Sequence, residues 1–477
     1  MTHMTQAQTE TPRTSTYELS GARDEAFESH ATPREHYATL IADLAAAELD
    51  EAVSAVQADL EARGVGFGDG ADLSPFFVDP VPRLVGPSEW DRLRQGLAQR
   101  VQALIAFVAD VYGERAIVSA GAIPERVIAT AEYLERDMEG VSISSATYVA
   151  GLDLVRGLQG ELQVLEDNLR TPSGIAYSLA ARETVDAHLP SRAPSNRLDP
   201  EPVYDMLGEA LRASAPGGID EPMIVLLSDG ESNSAWYEHR VLAERLRIPI
   251  VRPDDLSVRG DRVRARIAGG RNHEVHVIYR RTDEDRLRNP DGSLTWLAEA
   301  LLGPLQAGKV AVVNPFGSGV ADDKLVHAYV EEMVRFYRGE EPLIGSVRTY
   351  DLGDEDVRAD ALARLDELVV KPRGGYGGDG VVVCPHASRE DRHAVRRRVE
   401  ADPNRYVAQE MVEISTHPTV HDGTLEPRHV DLRPFVIGSG GVAVTAPVAL
   451  TRVALDRGSL VVNSSQNGGG KDTWLLA

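Results

Sequence analysis

Lysine is nearly missing from this chain: Lys309, Lys324, Lys371 and Lys471 are the only four in 477 residues. A bias toward arginine explains the scarcity but not the positions. Lys324 closes Asp322-Asp323-Lys324, and Lys471 follows Asn467-Gly468-Gly469-Gly470. Lys371 opens Lys371-Pro372-Arg373-Gly374-Gly375-Tyr376-Gly377-Gly378-Asp379-Gly380. An ammonium is a compact charge on a flexible stem, suited to reaching a phosphate. Lysine kept beside glycine and acidic loops therefore points to a nucleotide.

Cysteine is scarcer still. Cys384 alone excludes an intrachain disulfide, which fits a reducing cytoplasm. It follows Val381-Val382-Val383 and reads as a buried strand thiol rather than a nucleophile. No apolar run approaches the ~18 residues of a membrane helix, and no charged-then-apolar leader opens the sequence. Positive charge is short overall: a formal net charge of -24 argues against general nucleic-acid or anionic-membrane binding. What is present, 42% apolar residues, is enough for real cores, and the length predicts about two to four domains.

Residues 1–25 are polar with few apolar anchors and read as a disordered tail. Residues 26–140 carry helical spacing, as in Tyr37-Leu40-Ile41-Leu44 and Leu93-Leu97-Val101-Leu104-Ile105-Val108. Residues 141–200 switch to alternation, predicting a hairpin, and then a helix from Ile175 to about His188. Residues 201–313 show a strand–loop–helix–strand rhythm, with Met223–Ser228, a helix over Trp236–Arg247, and Ile250-Val251, which implies a parallel sheet. Residues 314–477 hold the glycine loop and several hairpins, one expected across Asp456-Arg457-Gly458 between 448–455 and 459–463.

Leu368–Pro372 is a strand running into the glycine loop, and Val381–Val383 resumes strand at once. No helix follows, which argues against a Walker A site or a dinucleotide fold. A glycine-rich hairpin tip can instead cover phosphates and offer backbone N–H groups. Alone, such a loop equally marks an ordinary turn. Near Gln159-Gly160 a turn would place Asp153 opposite Glu166, with Glu166 and Asn168 on one face and Asp167 on the other. Three hard oxygen donors, Asp153, Glu166 and Asn168, suit Mg²⁺; the alternative is an exposed acidic hairpin.

Taken together these pieces resemble the ATP-grasp superfamily. The resemblance rests on Asn314 with Asp323-Lys324, on Lys371 to Gly380, and on Gln409-Glu410. It extends to Asp431-Leu432-Arg433, Arg452 with Asn463, and Glu166-x-Asn168. The metal strand precedes the nucleotide loop by about 200 residues, whereas ordinary members place it last, so the chain resembles the circularly permuted, glutathionylspermidine-synthetase-like ATP-grasp ligases of unassigned substrate. The implied fold is mixed α/β (α+β): a circularly permuted ATP-grasp fold with a helical N-terminal region and a Rossmann-like pre-ATP-grasp domain.

The implied activity is an ATP-dependent ligase joining a small-molecule or peptide carboxylate to an amine through an acyl phosphate, with one or two Mg²⁺. A homo-oligomer is compatible with it. Under that resemblance Lys324 and Lys371 contact phosphates, Gly374, Gly375, Tyr376, Gly377 and Gly378 cover them, Gln409 and Glu410 line adenine, and Glu413 meets ribose. Arg433, Arg452 and Asn463 would act in catalysis. Arg170, Ser173, Asn233, Glu238, His239, Arg280, Arg281 and Lys471 are the substrate-side candidates, with bland readings as caps and strand-end charges. Ser228-Asp229-Gly230 and Asp283-Glu284-Asp285 depart from the family's Thr-Pro-Gly and Asp-Asp-Asp, so the acceptor side is where the resemblance carries least. The alternatives are an ATP-grasp phosphotransferase and a nucleotide-binding scaffold.

Overall fold

The computed structural model describes residues 17–30, 32–67, 74–141, 143, 146–189, 191–267, 269–375, 380–460, 462 and 468–477. Among them the chain is mixed α/β and builds three sheets that matter for function. The largest has seven strands, in the order Val78–Val85, Gly468–Leu475, Val442–Ala454, Thr424–Ser439, Tyr148–Arg156 and Leu162–Asn168, with Thr416–His421 also pairing Thr424–Ser439. Its centre joins distant parts of the chain: Leu432 pairs with Leu154. All nine residues of Tyr148–Arg156 are buried, as expected of a strand covered on both faces.

The helix Pro87–Val111 covers one face. Proline at its first turn suits a helix start, and Leu93, Leu97, Val101, Leu104 and Val108 recur at helical spacing and are buried. They pack in one cluster with Leu152, Leu154 and Leu432. Residues 153, 433 and 452 alternate with those positions, so they lie on the opposite face, where Ile175–His188 begins.

A second sheet is antiparallel and four-stranded, ordered Thr349–Asp351, Tyr406–Glu410, Leu368–Pro372, Val382–Val383. Leu368, Val370 and Ala408 pack under the helix Arg389–Ala401. Lys371 and Gln409 alternate with them and face the large sheet. The strand–loop–strand flap is present, its tip at 376–379 lying outside the described residues.

The third sheet is parallel, ordered Ala311–Val313, Val277–Arg280, Ile224–Leu227, Ile250–Val251. The chain leaves Ile224–Leu227 toward one side and returns on the other at Val277–Arg280. That reversal is a topological switch point, the position where open α/β sheets bind ligands.

Four expectations need correction. Only residues 1–16 of the tail lie outside the described residues, and 17–25 are docked rather than disordered. Tyr17 is buried, and Glu25 accepts from Arg83 Nε and Nη2, both at 2.7 Å, and from Arg156 Nε at 2.9 Å. Two guanidiniums thus anchor a segment that has few apolar residues of its own. Second, the helical region contains the strand Val78–Val85, hidden by Pro80 and Pro82; it is an edge strand, where proline is tolerated. Third, the free edge of Val442–Ala454 is taken by Gly468–Leu475, Arg452 opposite Gly470, while 461 and 463 of the expected partner strand 459–463 lie outside the described residues. Fourth, the acidic hairpin is one residue out of the expected register near its turn, where Arg156 pairs Leu162. An irregularity between Asp153 and Leu154 restores the Asp153–Glu166 pairing.

Candidate active site

Asp153 sits on the sheet face opposite the long helix, between two arginines. Arg433 Nε and Nη2 donate to its two oxygens at 2.6 and 2.8 Å, and Arg452 Nη2 lies 2.9 Å from Oδ2. Arg452 also pairs with Asp431 directly beside it. Burial opposes ionisation of Asp153, but the guanidiniums outweigh it and hold the carboxyl at about 2. Burial pushes Asp431 the other way, upward, because it shares a single arginine and feels the charge of Asp153.

Glu166, paired with Asp153 in register, turns to a different partner. Lys324 Nζ lies 2.7 Å from Glu166 Oε1 and also donates to the carbonyl of Gly375 at the flap base. Asp323 presents Lys324 by capping the short helix Lys324–His327. Facing them, Lys371 Nζ donates to Gln409 Oε1 at 2.6 Å, while Gln409 Nε2 donates to Thr349 Oγ1 at 2.9 Å and to the Leu165 carbonyl at 3.3 Å. Burial pulls the Lys371 ammonium down to about 8, against the attraction of Glu166 and Asp153 and with the repulsion of Lys324. Asp153, Glu166, Lys324 and Lys371 thus share one cleft between the two sheets.

Asp167 points away from the cleft, as the alternation predicts. It is gripped by Arg100 of the long helix, with two contacts at 2.7 Å, and by His327 Nδ1 at 2.7 Å. Asn168 shares the cleft face with Glu166, and its side-chain nitrogen is buried with no partner among the described residues. The side-chain oxygens of Asp153, Glu166 and Asn168, on adjacent strands, are hard donors of the kind a magnesium ion takes, whereas the orphaned Asn168 nitrogen is not a ligand atom. Among the described residues no group of three His, Cys, Asp or Glu gathers as a metal cluster, in this cleft or elsewhere. Of the three candidates, Asp153 is the one already committed to arginines.

The flap is anchored by Arg373, a residue that sequence reasoning passed over. Its guanidinium pairs with Asp323 at 2.9 and 2.8 Å and donates to the carbonyls of Val127 and Asn404 at 2.9 and 3.0 Å. Only its place next to Lys371-Pro372 signalled it. Gly374 and Gly375 lie at the flap base; Tyr376, Gly377, Gly378 and Asn463 fall outside the described residues. Glu410 turns to Tyr350 and Arg364 on the far side of its strand, and Glu413 is exposed beyond it. Neither carboxylate is brought to Lys371.

The substrate-side candidates divide. Ser173 is shared: its carbonyl accepts from Arg433 Nη1 at 3.4 Å and its hydroxyl from Arg281 Nη2 at 2.5 Å. Arg281 also pairs with Glu238, whose other oxygen caps the Ile175–His188 helix through the N–H groups of Gly174 and Ala176 at 2.8 and 3.0 Å. The two therefore position the 172–174 loop beside Arg433. Arg170 joins Asp322 and Asp285 at 3.3 and 2.8 Å and lies over Tyr133 at 3.9 Å. Asp322 also accepts from the N–H of Leu169, and burial pushes its carboxyl up to about 7.

Asn233 bonds Asp283 and Asp229 at 2.8 and 3.3 Å. His239 is buried against Ser228 Oγ at 2.8 Å; burial, helped by Arg281, pulls its imidazole down to about 2. Lys471 is fully buried against Asp79 and the Pro418 carbonyl at 2.9 Å. It pairs Thr451 in register, which puts it on the sheet face away from Arg452, so it is a core cation and not part of the cleft.

Comparison with known proteins identifies the fold and the family. Residues 82–454 match the family described as circularly permuted ATP-grasp type 2. A Frankia alni protein named "Putative glutamate--cysteine ligase 2-3" is 45% identical over 468 residues, covering 95% of this chain and 53% of that protein. The chain spans about half the length of the Frankia relatives it matches. An uncharacterized Synechocystis protein is 37% identical over 474 residues, covering 96% of this chain and 98% of that one. A solved structure of a glutathione synthetase-like effector from Globodera pallida, in apo form, shares the fold with a TM-score of 0.57 at 11% identity, covering 90% and 97% of the two chains. Among the described residues no helix is long and apolar enough to cross a membrane. With its acidic hairpin folded back, from far upstream, onto the strands that carry Arg433 and Arg452, the chain belongs to the circularly permuted ATP-grasp type 2 family.

Proposed function

We propose that this chain is an ATP- and Mg²⁺-dependent ligase that joins a carboxylate to an amine through an acyl phosphate. The observation that carries the reading is the single cleft in which Lys324 and Lys371 face Glu166 and Asp153 beside Arg433 and Arg452. Four cations against three carboxylates, Asp153, Glu166 and Asp431, leave a positive excess of one, which favours a triphosphate and a donor carboxylate. The name of the Frankia relatives favours amino-acid substrates.

The chemistry follows from charge placement. A donor carboxylate oxygen attacks the γ-phosphorus, the bond to the bridging oxygen breaks, and ADP leaves. The amine nitrogen then attacks the acyl carbon, loses its proton, and phosphate departs. Lys324 and Lys371 hold the phosphates, and Arg433 and Arg452, fixed in orientation by Asp153, neutralise charge at the transferring group. Losing one such donor costs on the order of 3 kcal/mol in the barrier. Glu166 and Asn168, with Asp153 beside them, would hold magnesium. When bound, the ion adds Lewis-acid stabilisation of the phosphate oxygens.

The test is ADP release from ATP against pools of amino acids and short peptides, with mass spectrometry of the products. ADP together with a new amide mass supports the ligase. ADP with a phosphorylated product would replace it with a phosphotransferase. Bound but unturned ATP in every pool would leave a scaffold.

A further inference from the structure

Arg280 stands at the carboxyl end of Val277–Arg280, beside the switch point of the parallel sheet. Its side chain is almost wholly buried, yet it has no carboxylate of its own. Among the described residues its one hydrogen bond runs from Nη1 to the Glu284 carbonyl at 3.5 Å, the limit of a hydrogen bond, and its Nε has no partner. The guanidinium lies 5.4 Å from the ring centre of Phe316. Neighbouring acids are engaged elsewhere: Asp285 and Asp322 on Arg170, Glu238 on Arg281, and Glu284 on the N–H of Arg286. Burial pulls Arg280 down to about 10, with Arg170 and Arg281 adding repulsion against the attraction of Asp285 and Glu284.

A buried guanidinium without a counter-ion is costly, and protein interiors seldom keep one. Ligand sites are where such groups persist, because the ligand supplies the missing charge. Here the place is also right. Carboxyl ends of parallel strands at a switch point are the ligand-binding edge of an open α/β sheet. The neighbouring Arg281 reaches, through Ser173, to Arg433 in the phosphate cleft, so this edge adjoins the reacting groups.

We propose that Arg280 is the subsite for a substrate carboxylate that is not the one activated, which makes at least one substrate an amino acid or peptide with a free carboxylate remote from the bond being formed. This rests on the ligase reading for its chemistry, but the binding itself is testable without turnover. Arg281 and Glu238 are positioning residues for the same edge, and Phe316 supplies an apolar wall that keeps the pair dry.

The test is thermal unfolding of the full chain with Mg²⁺ and ADP present, for the wild type and for Arg280→Met. The probes are L-glutamate and L-cysteine, each against its carboxamide at the same concentration. The wild type is expected to gain stability from at least one free acid and at least tenfold less affinity for its amide. Arg280→Met is expected to melt higher than wild type without ligand, since an unpaired buried charge is gone, to lose the acid response and to keep the ADP response. A lower melting temperature for Arg280→Met would make the residue structural and overturn the proposal. Equal responses to acid and amide, or no response to either acid, would overturn it too. An acid response that depends on Arg280 in a protein that releases no ADP with any amine would keep the subsite and sink the ligase.

Discussion

Asp153 and Glu166 stand directly opposite each other on adjacent strands, yet they answer to different halves of the protein: Asp153 to Arg433 and Arg452, Glu166 to Lys324. The first pair set is buried and rigid, the second partly open. That division predicts different consequences for two substitutions that look alike. Glu166→Gln should cost less than about 1 kcal/mol of stability, as a partly exposed pair. It should lower kcat/KM by about 10²-fold or more and raise the Mg²⁺ concentration needed for half activity. Asp153→Asn should cost about 3 kcal/mol in a urea melt, because the partly buried Arg433 loses its counter-ion and Arg452 is left with Asp431 alone. Equal stability losses in the two variants would refute the division.

Lys371 predicts the alkaline limb of activity. Its ammonium is held at about 8 by burial, so raising the pH through 8 removes the charge that would meet a phosphate. Since kcat/KM reports the free enzyme, kcat/KM for ATP should fall above pH 8 with a slope of one proton. Lys371→Arg should carry the limb beyond the measurable range, arginine staying charged there. An identical limb in that variant would assign it to another group.

His239 predicts a pH-dependent stability between pH 7 and 5, a window in which the raised Asp322 carboxyl acts with the opposite sign in wild type and variant alike. The unfolded imidazole takes up a proton near 6.5, while the folded one stays neutral down to about 2. The unfolded state therefore binds more protons, and stability falls as pH drops, approaching about 1.4 kcal/mol per pH unit. His417, also buried and lowered, adds to the slope. Urea midpoints for His239→Gln should show a shallower decline than wild type, while its activity at pH 8 should change little if the residue is only structural.

Lys471 tests the two faces of the large sheet. Asp79 accepts from the N–H groups of Val81 and Val420 as well as from Lys471, all of it buried. Lys471→Met should destabilise by about 3–5 kcal/mol, leaving Asp79 unpaired. The KM for ATP should not move. A large rise in that KM with stability intact would return Lys471 to the cleft.

Gly151 tests how closely the loop must approach the arginine. A Cβ there would come within 2.9 Å of Pro172 Cβ and 3.5 Å of Arg433 Cδ. Gly151→Ala should cost about 1–3 kcal/mol by overpacking. It should lower kcat more than it raises the KM for ATP, since the loop carrying Pro172 and the Ser173 carbonyl that holds Arg433 must shift while the lysines do not.

Much of this molecule is written locally. Leu368–Pro372, the glycine loop and the returning Val382-Val383 declare a hairpin by strand propensity and turn residues alone. The helices Ile175–His188 and Pro87–Val111 declare themselves by apolar spacing. The Asp153–Glu166 pairing was expected from a turn at Gln159-Gly160, although the register near the turn is one residue off and an irregularity that no spacing rule announces restores it. Arg373 was not legible, because Asp323, Val127 and Asn404, which give it meaning, come from three separate segments.

The order of residues alone sets which positions alternate, where the chain turns, and that an acidic hairpin and a lysine flap coexist in one chain. Which of these face each other is settled by the packing of the folded chain. Pairing Gly468–Leu475 with both Val442–Ala454 and the proline-bearing Val78–Val85 turned Lys471 into the core, and the parallel sheet left Arg280 buried without an acid. Register between distant strands is set by the packing of both faces at once, and no local run of residues contains that information.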